Sequence, residues 1–132
     1  MKKTEIIPKG MEGLVQGWHA SPGIVSGGHL FVNGFNGCPV GGVPSPEPEA
    51  QMVTAFDKVG AVLAKAGLAW GDVVDMTTFH VGLATHLELF KSVRARYVRA
   101  PYPAWTAIEC AGFAIPGVIV ELKVVAALRD AA

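Results

Sequence analysis

An α+β fold in one domain is the architecture this sequence predicts, and three observations predict it. Apolar residues recur at helical spacing in two stretches, around residues 46–66 and 85–100. Short runs rich in β-branched and aromatic residues, bounded by Gly and Pro, lie before, between and after them. No repeat, low-complexity tract or linker divides the 132 residues, a length that accommodates one core, so a single domain is expected over residues 1–132.

The early strands are expected at Val15 to Trp18, Gly23 to Val25 and His29 to Asn33, punctuated by Ser21-Pro22 and Gly27-Gly28. Gly34 to Pro46 reads as a loop, because Gly41-Gly42 and three prolines forbid regular structure there. The first helix should begin between Pro46 and Glu49 and run to Ala66. Met52, Phe56, Val59, Leu63 and Ala66 form its buried stripe, with Asp57, Lys58 and Lys65 elsewhere on the wheel. Pro48 suits a first-turn position, Glu47 and Glu49 suit the positive end of the helix, and Gly67 ends it. Val73 to Val81 follows as a strand. The second helix is read to open on Thr85-His86-Leu87-Glu88, a capping-box pattern. His86, Phe90, Val93 and Tyr97 supply its buried stripe, and Pro101 and Pro103 close it. Two strands complete the chain, Ala104 to Ala111 and Val118 to Leu128, with Pro116-Gly117 in the turn between them.

Charge and composition exclude several classes of function. Eleven basic and 11 acidic residues cancel, so no global field draws the chain to nucleic acid or to an anionic membrane. Hydrophobic residues make up 51% and charged residues 17%. From Gly13 to Pro46 there is no Asp, Glu, Lys or Arg, and nine glycines with Pro22, Pro39, Pro44 and Pro46 break that run, so it is no membrane helix. So much uncharged sequence is expected to be covered by other copies of the chain. The N-terminal Met1-Lys2-Lys3-Thr4-Glu5 lacks an apolar signal core, and Cys38 and Cys110 lack metal spacing. Free thiols in a reducing cytoplasm are expected, and Cys110 has no activating base at a telling spacing. His19, His29, His80 and His86 form no i,i+4 pair and no cluster with Cys or Glu, so neither metal nor cofactor is expected. Lys91, Arg94, Arg96 and Arg99 gather positive charge on the second helix without interleaved aromatics, which reads as a solvated face rather than a nucleic-acid platform.

The segment Tyr102-Pro103-Ala104-Trp105-Thr106-Ala107, followed by the apolar strand carrying Glu121, resembles the C-terminal signature of the Rid (YjgF/YER057c/UK114) family. The resemblance extends from about Trp18 to Leu128. It implies a mixed β-sheet covered on one face by two helices, assembled as a homotrimer with small-molecule pockets at the subunit interfaces. The best-known members hydrolyse reactive imines and enamines. In them the position of Trp105 is an arginine that grips the substrate carboxylate, and a glutamate matching Glu121 orients or activates the hydrolytic water.

Glu121 is the expected catalytic residue, because a carboxylate in so apolar a strand needs a partner or a purpose. A salt bridge to Lys123 or to a neighbouring strand is the competing structural reading. Ungapped matching to the family places Trp105, Ala107, Phe90, Asn33 and Gly34 in the ligand pocket, with His19 close by. Asn33 stands for a serine, Phe90 for an asparagine and Ala107 for a cysteine. An indole N–H cannot neutralise an anion, so an apolar or uncharged ligand is expected. Backbone amides from Trp105 to Ala107 could polarise a reacting group. Two functions remain open: hydrolysis of an imine other than the usual 2-imino acids, or a non-catalytic trimer that binds a small metabolite in the same clefts.

Overall fold

Alternation along the last strand, β7 (Val120–Ala127), separates the two faces of the molecule. Val120, Leu122, Val124 and Ala126 are fully buried, while Glu121, Lys123, Val125 and Ala127 are only partly covered. In this computed structural model, which describes residues 2–130, the chain reads β1 (Thr4–Ile6), α1 (Glu12–Trp18), β2 (Gly23–Ser26), β3 (His29–Val32) and β4 (Phe35–Asn36). It continues with α2 (Pro48–Lys65), a 3-10 turn (Trp70–Asp72), β5 (Val73–His80), α3 (Leu83–Arg94), β6 (Ala104–Glu109) and β7.

The strands form one mixed sheet of order β1-β2-β3-β7-β5-β6, in which β4 also pairs with β7. Among the described residues only β5 and β6 run parallel, and α3 is the crossover between them. Helices α2 and α3 cover the face bearing Leu122 and Val124. Phe56 of α2 and Phe90 of α3 sit at its centre, 5.7 Å apart by ring centroid, and Phe56 stacks on Tyr97 at 4.6 Å. The expected sheet with two helices over one face is thus the observed one.

Several elements differ from the expectation, each for a local reason. Val15 to Trp18 is helical, not extended. Met11, Leu14 and Val15 fall at i, i+3 and i+4, and these are the covered residues of α1. Strand β1 carries no periodic signal in the sequence, being a short, mostly exposed edge strand with Glu5 at its centre. Within the expected loop at 34–46, Phe35 and Asn36 add to β7 opposite Leu122 and Glu121. Helix α3 starts at Leu83 rather than at a Thr85 capping box. Gly82 turns the chain at φ 73°, and the Leu83 N–H donates to Glu109 Oε1 at 3.0 Å, placing a carboxylate at the positive helix end.

Buried Gln51 ties the loops around the site together. Its Nε2 donates to the carbonyls of Ser45 and Gly117, each at 2.8 Å, and its Oε1 accepts the Ile119 N–H at 2.9 Å. One side chain thereby fixes both the approach to α2 and the turn into β7.

Candidate functional site

Glu121 projects from the face of β7 opposite the helices, between Asn36 of β4 and Phe79 of β5. The reason is the pleat: its neighbours Val120 and Leu122 are drawn into the core, so Glu121 must face away. Its carboxylate borders a cavity of about 550 Å³ whose walls come from α1, the Asn33–Gly41 segment, Lys58 and the loop at Phe113–Ile115. The walls are mostly apolar. Partial burial raises the Glu121 pKa above the usual carboxylate value, and the nearby Lys58 ammonium opposes that rise. Lys123 is not its partner, because Lys123 Nζ donates to the Val32 carbonyl instead.

Gly34 makes room for the carboxylate. A Cβ built there would lie 2.7 Å from Glu121 Oε2 and 3.2 Å from Cδ. The chain is irregular between β3 and β4 at this point, and only a residue without a side chain lets the backbone approach so closely. Asn33 beside it lines the cavity, with its Nδ2 donating to the Gly34 carbonyl at 3.1 Å. His19 caps the end of α1 at φ 52° and is exposed; Trp18 and Ala20, not His19, line the cavity.

Trp105 and Ala107 occupy the opposite face of the sheet from Glu121. They pair with Met76 and Thr78, whose side chains point to the helices, whereas Phe79 pairs with Glu121. The Trp105 indole N–H donates to Thr78 Oγ1 at 3.0 Å, and the same hydroxyl meets His80 Nε2 at 2.7 Å. Burial lowers the His80 pKa, and His86 adds to the effect, which keeps this inner histidine neutral. The Arg94 guanidinium lies 4.2 Å from the Trp105 ring centroid, and its buried Nε has no hydrogen-bond partner among the described residues. Phe90 is fully buried against His80, Phe56 and Trp105.

The sequence-derived residues therefore fall into two groups within one chain. Glu121, Asn33 and Gly34 share the cavity; Trp105, Ala107 and Phe90 share the helix side, with β6 as an edge strand. Lys58, Asn36 and Cys38 were not foreseen in the cavity. Lys58 had a readable signal, since Ala55, Lys58 and Val62 continue at three- and four-residue spacing along the border of the buried stripe.

A mixed sheet under two helices, with a half-buried carboxylate on the wall of a mostly apolar cavity, defines a small α+β protein. Residues 16–128 match the family model described as endoribonuclease L-PSP. The chain is 35% identical over 131 residues to the RutC family protein YjgH of Escherichia coli (strain K12), covering 98% of each. The solved structure of a protein YJGH has a TM-score of 0.89 at 33% identity, covering 99% of this chain and 100% of that one. A YjgF/YER057c/UK114 family member from Mycobacterium tuberculosis has a TM-score of 0.81 at 19% identity, covering 96% and 100%. The chain belongs to the Rid (YjgF/YER057c/UK114) family. No helix among the described residues is long and apolar enough to cross a membrane.

Proposed function

We propose that this protein hydrolyses reactive imines or enamines to carbonyl compounds and ammonia, with Glu121 as the residue that activates water. The observation that carries this reading is a half-buried carboxylate of raised pKa on the wall of an apolar cavity. Such a group takes a proton from water more readily than an exposed carboxylate does. The preferred substrate is apolar or uncharged, because the position held by arginine in the well-known members is Trp105 here.

The proposed assembly is a homotrimer, in which the Trp105 and Ala107 face of one copy meets the Glu121 cavity of the next. Two observations support it. Glu121 and Trp105 lie on opposite faces of the same sheet, and the open face carries two apolar cross-strand pairs, Phe31 with Val125 on β3 and β7 and Phe79 with Ile108 on β5 and β6. Phe31 and Ile108 are 44% and 41% exposed, more than a lone soluble chain usually leaves in such pairs. Sedimentation is expected to show a trimer at micromolar concentration, and a stable monomer would remove the shared clefts. The two free thiols fit a cytoplasmic location. Nucleic acid is not proposed as a ligand: Lys91 and Arg96 are engaged by Glu88 and Glu49, and Arg94 by Trp105.

The test is ammonia release from imines generated in situ, 2-imino acids by an amino-acid oxidase and uncharged imines by a flavin amine oxidase acting on primary amines. Acceleration that Glu121→Gln abolishes is expected, with neutral imines preferred. The substitution of Trp105 for arginine favours a second reading, a trimer that binds a small metabolite without turnover. Ligand binding in the absence of any acceleration would select it.

A further inference from the structure

We propose that Lys58 is the proton donor of the Glu121 site, completing an acid–base pair inside the cavity; this rests on the imine-hydrolysis reading. Lys58 extends from α2 across the ring of Phe35, its Nζ 5.7 Å from the ring centroid, and lines the same cavity as Glu121. Its Nζ donates to Asn36 Oδ1 at 3.0 Å and to the Cys38 carbonyl. An ammonium has three N–H bonds, and the two protein acceptors occupy two of them. Lys58 forms no ion pair within 4.0 Å among the described residues. A lysine needed only to hold the 36–38 loop would be served by those two acceptors. This one also keeps a third N–H in the cavity it shares with Glu121, a carboxylate without a hydrogen-bonded partner among the described residues.

The electrostatics agree with the geometry. Burial lowers the Lys58 pKa from 10.5 to about 8, while Cys38 of the adjoining loop and Glu121 of β7 oppose the shift. Glu121 moves the other way. The two groups approach neutrality from opposite sides, the condition under which one gives and the other takes a proton at the same pH. At pH 7 Lys58 is still about nine-tenths ammonium, given a pKa of about 8.

In the first step the Lys58 ammonium gives a proton to the imine nitrogen. Glu121 takes a proton from water as the water oxygen bonds to the imine carbon, which yields a carbinolamine. In the second step protonated Glu121 returns its proton to the amino nitrogen and the C–N bond breaks. Ammonia leaves, the hydroxyl proton passes to the Lys58 amine, and the carbonyl forms. Both side chains end as they began, and imine plus water has become carbonyl plus ammonia.

The experiment compares pH profiles of kcat/KM for the full-length protein and Lys58→Arg. Arginine keeps the positive charge and two or more donors but cannot release a proton near neutrality. The wild-type rate should fall on the alkaline side near pH 8. Lys58→Arg, folded by circular dichroism, should lose on the order of 100-fold in rate, the lower range for a general acid, and lose that alkaline limb. A Lys58→Arg profile like the wild type's would sink the proton-donor role and leave imine hydrolysis standing. Absence of ammonia release from the wild type would sink both. If Lys58→Arg does not fold, NMR titration of the Lys58 Nζ in the wild type decides. Titration near pH 8 upholds the pair, and a value near 10.5 overturns it.

Discussion

Gly34→Ala tests whether the glycine exists to seat the Glu121 carboxylate. The three atoms nearest a Cβ at residue 34 all belong to Glu121, the closest at 2.7 Å. An ordinary contact begins near 3.4 Å, so the carboxylate must retreat by about 0.7 Å or rotate away from the cavity wall. Because the obstacle is the tip of a flexible side chain, the cost sits at the low end of overpacking penalties, about 1 kcal/mol. The functional cost is larger, since a displacement approaching 1 Å can lower turnover by about 100-fold. The stability part is separable by a double-mutant cycle in urea with Glu121→Ala. In that background nothing obstructs the new methyl, so Gly34→Ala should be neutral or stabilising by about 0.4–1 kcal/mol through the unfolded chain. A coupling of about 1 kcal/mol or more between the two sites is expected. Equal destabilisation with and without the Glu121 side chain would refute the reasoning, because the glycine would then serve the backbone and not the carboxylate.

Gln51→Ala removes three hydrogen bonds from a buried site and should cost about 3 kcal/mol, measurable as a lower denaturation midpoint with an unchanged slope. Trp105→Phe deletes the indole bond to Thr78 Oγ1 while retaining an aromatic face for Arg94, so a loss of about 1 kcal/mol is expected in the same assay. Glu121→Gln should change the pH dependence of stability. The folded state holds the Glu121 proton more tightly than the unfolded chain does, so its favourable contribution is present below pH 4.5 and fades as pH rises through the raised pKa. Relative to wild type, the variant should therefore gain stability between pH 4 and pH 7; a constant difference across that range would show that the carboxyl group is not desolvated.

Helix α2 and strands β5 and β7 were legible because their patterns are long. Along α2 the apolar stripe recurs at Met52, Phe56, Val59 and Leu63, and β7 alternates buried and half-buried positions over its whole length. Short elements were not legible. Seven-residue α1 was read as a strand since Val15 and Trp18 suit either state, and β1 and β4 are too brief for any period to emerge. The Thr85 motif had the composition of a helix start, but Glu109, distant in sequence, supplied the cap at Leu83.

The site divides along the same line. The identity of Glu121 and its outward direction follow from the alternation of one strand, a local property that the sequence states outright. Most of the groups that surround it do not follow, because Asn33, Gly34, Lys58 and the α1 residues arrive from segments more than 60 residues away. Lys58 is brought to Glu121 by the docking of α2 on the sheet, and Gly34 by an irregularity between two short strands. Likewise, the family resemblance brings Trp105 and Glu121 together, and only the sheet register shows that they face opposite ways within one chain. Periodicity fixes which side of an element a residue takes; which elements meet is set by the summed burial of the whole core, and that sum is written in no single segment.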